Sequence, residues 1–243
     1  MKGNYYSKIY FEEKEGYLLK NIFLKGYNIN DELQNKIEFL DWVGLCFFEN
    51  KISIFQKNII KEIMFIISSR GFNTKSILSG INTAIQKGNK ENIIITGAAL
   101  ESGKLGLKEI KFIFDIIQNK DDLLNMDRLV LELKDKKIEN IDFEVGFNNG
   151  EESLIFEKIS KNIKIKYGEK IEYTNLYLKN QGNIEERIGK KSNLNLLAAL
   201  LLKDIDIPEK SIEHFLFFLF LPFFSSLTLE QNDYKRIPFI NKD

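Results

Sequence analysis

Residues 140–171 read NIDFEVGFNNGEESLIFEKISKNIKIKYGEKI, and the predicted fold is built around this stretch. It opens with alternating polar and apolar residues, the period of a strand with one buried face: Asp142, Phe143, Glu144 and Val145. Gly146 and Gly150 then bracket a short polar turn, where positive φ angles are tolerated. Further apolar runs at 154–156 and 159–165 indicate two more strands. The stretch therefore predicts a β-meander.

The first turn of this meander is a candidate binding site. An acidic strand end, a glycine turn and an apolar strand resemble the phosphate-binding hairpin of the actin-like ATPase superfamily. Within it, the similarity is to the degenerate actin-like subunits of type IV pilus and type II secretion assembly platforms. The resemblance implies that ATP with magnesium would contact five residues: Glu144, Gly146, Gly150, Glu151 and Glu152. The superfamily has Asp at the position of Glu144, and its N-terminal Asp-x-Gly turn is missing here, so we expect no cofactor first and ATP as the alternative.

Composition sets the class of protein. The chain has 243 residues, of which 44% are hydrophobic, enough for one large domain or two small ones. We predict halves at 1–133 and 134–243, with a single domain as the alternative. Lys plus Arg equals Asp plus Glu at 35 each, so the net charge gives no indication of nucleic-acid binding. Many lysines, isoleucines and asparagines indicate an AT-rich bacterial genome.

The remaining patterns predict a mixed α+β fold, with mixed or antiparallel sheets, flanking helices and an apolar C-terminal helix. Strands are predicted in a hairpin at 5–27, in two runs within 43–56, in a buried run at 93–95 and at 173–179. Helices are predicted at 57–69, 73–88, 108–118 and 194–203, and after Pro208. Residues 126–133 fit either a helix or a strand.

Residue types that perform catalysis are scarce. The chain has one cysteine and one histidine, which excludes an internal disulfide and a catalytic triad. Cys46 lies in an apolar run and is expected to be a buried structural thiol, and His214 is expected to have a capping or surface role. We therefore assign no catalytic residue and expect a protein that is not an enzyme.

The segment FLFFLFLPFF, residues 215–224, is the second candidate site. The 15 uncharged residues from 215 to 229 would span about 22 Å as a helix, less than the roughly 30 Å of a bilayer core. A core helix is the first interpretation, followed by a helix that faces a protein or a membrane, and then a membrane span. Its candidate partner-binding residues are Phe215, Phe217, Phe218, Phe220, Phe223 and Phe224.

The leading hypothesis is therefore a non-enzymatic protein-binding or assembly protein with an aromatic-rich apolar surface, specifically an actin-like platform subunit. Its partner would be a protein, and a membrane-associated partner is the alternative. With no apolar leader at the N-terminus, we expect a cytoplasmic protein, which could also be membrane-peripheral. One alternative is a nucleotide-binding enzyme that uses its glycine turns, including 97–104. Another is a nucleic-acid accessory or inhibitor protein that uses lysines at 134–137 and 158–170.

Overall fold

A computed structural model gives the architecture of the chain. The structure describes residues 10–15, 18–24, 26–28, 30–31, 37–48, 50–69, 107–135, 146–148 and 152–234. The chain forms two compact units. The first unit comprises residues 1–58 and 207–211, and the second unit comprises residues 59–206 and 212–243.

The first unit contains the antiparallel sheet that the N-terminal pattern predicts. Strand β1 is Tyr10–Glu15, β2 is Leu18–Leu24 and β3 is Tyr27–Asn28, in the order β1-β2-β3. The register pairs Tyr10 with Leu24, and it shifts between Glu13 and Lys14. The predicted hairpin is thereby confirmed.

Two helices replace the strands that were predicted at 43–56. Helix α1 is Phe39–Phe47 and α2 is Ile54–Ser68. The start of α2 is marked by a reciprocal pair of hydrogen bonds, in which Ser53 N–H donates to Gln56 Oε1 at 2.9 Å and Gln56 N–H donates to Ser53 Oγ at 3.2 Å. This is a capping box, and it fixes the beginning of a helix. The strand prediction is wrong because it followed the apolar runs and missed this polar signal.

The second unit is mainly helical. Besides residues 59–68 of α2, its helices are α3 (Leu107–Ile116), α4 (Lys120–Leu124), α5 (Met126–Asp135), α6 (Glu152–Tyr167), α7 (Glu172–Ile188), α8 (Leu194–Asp204) and α9 (Ile212–Tyr234). Strands β4 (Phe147–Asn148) and β5 (Lys191–Ser192) pair antiparallel. Helix α8 is the core element, because residues 194–202 are all buried and it packs against α3, α6 and α7. The predicted class, mixed α and β with antiparallel sheets and an apolar C-terminal helix, is confirmed.

The second and third strands of the predicted meander are wrong, and its first strand, at 142–145, lies outside the described residues. Residues 152–167 form α6, in which Phe156, Ile159 and Ile163 are buried at positions i, i+3 and i+7. That spacing is the period of a helix with one buried face. Exposed Leu154, Ile155 and Ile165 lengthened the apolar runs and made them look like strands. The strand predicted at 173–179 is likewise part of α7.

Several other predictions have clear outcomes. The helices predicted at 57–69, 108–118 and 194–203 are confirmed, and the ambiguous residues 126–133 belong to α5. A short 3₁₀ turn, Glu209–Ser211, precedes α9, so this helix begins at Ile212 and not directly after Pro208. The helix predicted at 73–88, the strand at 93–95 and the glycine loop at 97–104 lie outside the described residues. Within the described ranges, no helix is both long and apolar enough to cross a membrane.

Candidate functional site

The carboxylate of Glu109 on α3 forms hydrogen bonds with two other parts of the second unit, Gly146 and the start of α8. Glu109 Oε1 accepts hydrogen bonds from Gly146 N–H at 2.9 Å and from Asn193 Nδ2 at 3.1 Å. Glu109 Oε2 accepts a hydrogen bond from Asn195 Nδ2 at 2.6 Å. We call these four residues the polar centre: Glu109, Gly146, Asn193 and Asn195. Because they come from positions up to 86 apart in sequence, only the tertiary fold brings them together.

The beginning of α8 places the two asparagines. Asn193 is the N-cap residue, and its Oδ1 accepts a hydrogen bond from Leu196 N–H at 3.1 Å. Asparagine is among the best residues for this position because its side chain satisfies an amide that the helix leaves open. The backbone N–H of Asn193 also donates to the carbonyl of Gly146 at 2.9 Å, next to the β4–β5 pair. Asn195 follows in the first turn and is buried.

Gly146 is required where it stands. Its φ of +86° lies in the left-handed region, which L residues with a side chain rarely occupy. The backbone angle is the reason, because a Cβ at this position would lie at ordinary contact distances, 3.4 Å from Ile113 Cδ1 and 3.5 Å from Leu196 Cβ. The sequence predicted that Gly146 would help to bind a nucleotide phosphate. In the structure its N–H donates to the carboxylate of Glu109.

The electrostatic setting of the polar centre favours negative charge. Glu109 lies in the first turn of α3, and Asn193 and Asn195 lie at the start of α8, so the N-terminal ends of two helices meet here. Helix N-termini carry partial positive charge and unpaired N–H donors, which attract anions. Among the described residues, only neutral groups donate to Glu109, and no lysine or arginine side chain contacts it.

A second polar network includes Ser192, the residue next to Asn193 in the chain. Glu185 Oε1 accepts from Ser192 Oγ at 2.7 Å and from Gln181 Nε2 at 2.7 Å, and Glu185 Oε2 accepts from Lys191 Nζ at 2.8 Å. The hydroxyl of Tyr177 lies 2.6 Å from Ser192 Oγ. Since Ser192 gives its one hydroxyl proton to Glu185, Tyr177 is the donor in that pair. The network ties α7 to residues 191–195, the segment that carries both asparagines.

The protonation states of this network are well separated. Burial raises the pKa of Glu185, but hydrogen bonds from Lys191, Gln181 and Ser192 outweigh it, so the pKa lies below its usual value. Burial raises the pKa of Tyr177 far above its usual range, so its hydroxyl keeps its proton. At neutral pH the carboxyl is therefore ionised and the phenol is neutral. The network holds the start of α8 in one position, since neither the Glu185 carboxyl nor the Tyr177 hydroxyl gains or loses a proton near neutral pH.

The candidate nucleotide-binding residues are only partly covered by the structure. Glu144, Gly150 and Glu151 lie outside the described residues. Glu152 is the first residue of α6, and its side chain is not among those described. Only Gly146 is placed, and it lies in the polar centre. Within the described ranges, no group of three or more histidine, cysteine, aspartate or glutamate residues could hold a metal ion.

The candidate partner-binding phenylalanines lie on α9. Phe215, Phe220 and Phe224 are buried, as the core-helix interpretation predicts, and Phe217, Phe218 and Phe223 are half-buried. The rings of Phe220 and Phe224 stack with centroids 5.4 Å apart. The three buried rings are therefore part of a core.

The other two residues that the sequence singled out are both exposed. Cys46 is exposed on α1, so the expectation of a buried thiol is wrong. His214 is exposed near the start of α9, in keeping with a surface role. Sequence reasoning predicted the helix that begins at 194 but missed Glu109 and Asn195 as functional candidates, because neither has a local motif around it.

Comparison with solved structures identifies the fold. Citryl-CoA lyase from Hydrogenobacter thermophilus superimposes with a TM-score of 0.69 at 14% sequence identity, covering 98% of this chain and 91% of that one. ATP citrate lyase from Methanosaeta concilii, in complex with (3S)-citryl-CoA, gives a TM-score of 0.73 at 14% identity. That match covers 96% of this chain, which spans only 40% of the lyase. The chain therefore has the fold of these proteins.

A third structure extends the comparison. Citrate synthase from Thermoplasma acidophilum, in complex with carboxymethyl coenzyme A and oxaloacetate, gives a TM-score of 0.53 at 16% identity, covering 77% of this chain and 50% of that one. No protein-family model and no curated protein matches the sequence. The resemblance to actin-like platform subunits is wrong, and so is the assignment as a non-enzymatic assembly protein, because the structural neighbours are citrate-related enzymes.

Proposed function

We propose that this protein is an enzyme that acts on a coenzyme A thioester of a hydroxylated polycarboxylate, of the citryl-CoA type, and breaks its carbon–carbon bond. The observation that carries the proposal is the likeness to citryl-CoA lyase, which extends over nearly the full length of both chains. The likeness to part of an ATP citrate lyase bound to (3S)-citryl-CoA supports the same class of substrate. Under this proposal the ligand is a coenzyme A thioester, in place of the expectation of a protein without any cofactor.

The proposed reaction balances without an oxidant, a reductant or a nucleotide. The hydroxyl of the citryl group loses its proton, and the carbon that bears it becomes a ketone. The bond from this carbon to the carbon next to the thioester breaks, and its electron pair stays on the thioester side. That carbon then takes up one proton, so the products are a 2-oxo dicarboxylate and a two-carbon acyl thioester. ATP is not needed, and the chain spans only 40% of the ATP citrate lyase that it matches.

The polar centre offers features that suit this substrate. The N-terminal ends of α3 and α8 meet here, and their partial positive charge stabilises the carboxylate of Glu109. Glu109 is the ionisable residue of the polar centre, and three donors hold it in one orientation. Such pre-organisation is what a site needs in order to place a reacting group without reordering its own side chains.

The test is a direct assay of the purified full chain with citryl-CoA. We expect formation of a 2-oxo dicarboxylate that can be followed with a coupled dehydrogenase, with no requirement for ATP or magnesium. The matched control is Glu157→Gln, which changes one exposed carboxylate on α6, and it should behave like the unchanged protein. A protein that neither cleaves citryl-CoA nor binds coenzyme A or citrate by calorimetry would overturn the proposal.

A further inference from the structure

We infer that Glu109 is a positioning residue that orients the amide of Asn195, so that Asn195 Oδ1 accepts a hydrogen bond from the hydroxyl of the substrate. The inference rests on the proposed function and names one recognition contact within it. Three observations carry it: the Glu109–Asn195 hydrogen bond, the different hydrogen bonding of the two asparagines, and the additional donors that hold Glu109.

The Glu109–Asn195 hydrogen bond decides which way the amide faces. An ionised carboxylate only accepts hydrogen bonds, so the amide has to present its NH₂ group to Glu109. The distance from Nδ2 to Oε2 is 2.6 Å, at the short end for a charge-assisted contact. With the nitrogen held toward Glu109, the carbonyl oxygen of the same planar group faces away. Glu109 thus converts an amide with two possible orientations into a fixed acceptor.

The two asparagines of the polar centre differ in how many of their amide atoms form hydrogen bonds with the described residues. Asn193 uses both ends of its amide, since Nδ2 donates to Glu109 and Oδ1 accepts from Leu196 N–H. Asn195 uses its nitrogen, and no residue in the described part of the chain donates to its Oδ1. Asn195 as a whole residue is 8% exposed. Asn195 therefore provides the acceptor that a bound hydroxyl requires.

The additional donors on Glu109 make the arrangement rigid. Gly146 N–H and Asn193 Nδ2 both hold Oε1, so Oε2 stays aimed at Asn195. A neutral amide oxygen does not take up a proton near neutral pH, so Asn195 orients the hydroxyl and does not act as the base. Its contribution is to select a hydroxylated substrate and to fix the direction of the hydroxyl proton before bond cleavage.

The first test is a pair of equilibrium ligands that differ by one hydroxyl. Citrate and propane-1,2,3-tricarboxylate are titrated by calorimetry into the full chain with saturating coenzyme A. We expect citrate to bind about fivefold more tightly, the size of one net hydrogen bond. Asn195→Ala should bind both ligands equally, and the Glu157→Gln control should keep the preference. Equal binding by the unchanged protein would overturn the inference and leave the proposed function standing, whereas no binding of either ligand would overturn the proposed function itself.

The second test separates positioning from structural support. In Glu109→Gln, the new amide donates toward residue 195, and Asn195 turns its oxygen inward to accept. We expect kcat for citryl-CoA cleavage to fall about tenfold, because the hydroxyl loses its fixed direction, and KM to rise about fivefold, because the hydrogen bond that favours citrate in the first test is lost. The double variant Glu109→Gln with Asn195→Asp restores an acceptor at position 195 that faces the substrate, and should recover most of kcat. Unchanged kcat in Glu109→Gln, or no recovery in a double variant that melts like the unchanged protein, would overturn the inference.

Discussion

The Thr174 hydroxyl donates a hydrogen bond of 2.6 Å to the carboxylate of Asp204, which joins the first turn of α7 to the last residue of α8. The same carboxylate accepts from the backbone N–H groups of Tyr173 at 2.7 Å and Thr174 at 3.3 Å. Asp204 therefore caps α7 from a different helix. The residue that precedes α7 is Ile171, which has no side chain able to cap it.

This cap predicts a pH dependence of stability. Burial raises the pKa of Asp204 to about 7, although the hydrogen bonds from Thr174 and Tyr173 act in the opposite direction. Nearby Glu172 also raises the pKa of Asp204, and Lys120 forms an ion pair with Glu172. Between the usual carboxyl pKa of about 4 and about 7, the folded protein binds a proton that the unfolded chain has released. The contribution of Asp204 to the free energy of unfolding therefore decreases as pH rises through this window.

Asp204→Asn should remove that contribution, because the amide keeps an oxygen acceptor for the cap but does not titrate. Urea unfolding at several pH values between about 4 and about 7 measures it, and the slope of stability against pH should become more positive in the variant. Glu157→Gln, on the exposed face of α6, is the control and should keep the original slope. Identical slopes in Asp204→Asn and in the unchanged protein would contradict the prediction.

Two glycines allow backbone strain to be separated from function. Gly146 has φ +86° and Gly189 has φ +79°, and a Cβ on Gly189 would meet nothing within 4 Å. We expect alanine at either position to cost about 1–2 kcal/mol for the left-handed backbone. Only Gly146→Ala should also weaken citrate binding, because relief of the strain moves its N–H away from Glu109. Denaturant unfolding and calorimetry on both variants check this, and equal loss of binding in Gly189→Ala would contradict it.

Periodicity allowed part of the fold to be predicted. The helices at 57–69 and 108–118 were predicted because their apolar residues follow a helical spacing. The helix at 194–203 was predicted from a run that is apolar nearly all round, and residues 194–202 are all buried. Helix α6 was missed because Leu154 and Ile165 are apolar and exposed, which hides the spacing of its buried face. Burial is a property of the packed molecule, and a single sequence does not contain it directly.

The candidate site was harder to predict than the fold. Gly146 was singled out because glycine in a polar turn indicates a special backbone, and it does lie in the polar centre. Glu109 was not singled out, since one glutamate on an amphipathic helix looks like any solvated surface residue. Its partners Asn193 and Asn195 lie 84 and 86 positions away, so the link exists only in the folded chain. A local pattern cannot show a contact of this range.

The buried hydroxyls of Tyr177 and Ser192 should contribute unequally to stability. Tyr177→Phe removes a donor and leaves Ser192 bound to Glu185, so we expect a loss of about 0.5–1.5 kcal/mol. Ser192→Ala leaves the Tyr177 hydroxyl buried without its partner and removes one bond to Glu185, so we expect about 1–3 kcal/mol. Because the two hydroxyls contact each other, the double variant should lose less than the sum. Urea unfolding of the three variants measures the loss in the free energy of unfolding. A loss in the double variant equal to the sum of the two single losses would contradict the connected hydrogen bonds from Tyr177 through Ser192 to Glu185.

Asn195→Asp as a single change should create a carboxylate pair in the polar centre. The distance from residue 195 to Glu109 is set by a contact of 2.6 Å, so two ionised carboxylates would repel strongly and one of them would hold its proton to a higher pH. A raised pKa in the folded state means that stability is greatest at low pH and falls as pH rises. We therefore expect the variant to melt well below the unchanged protein at about pH 7 and to approach it at about pH 4.

Adding Glu109→Gln to this variant should reverse the effect. The amide of residue 109 would then donate to the new carboxylate at position 195, while its oxygen still accepts from Gly146 N–H and Asn193 Nδ2, so every bond of the polar centre has a complementary partner. Thermal melts of both single variants and the double variant at the two pH values form the measurement. The double variant should regain most of the stability lost at about pH 7, because the repulsion is absent. If it melts as low as Asn195→Asp, the loss comes from the altered residue 195 itself, and the carboxylate pair is not its cause.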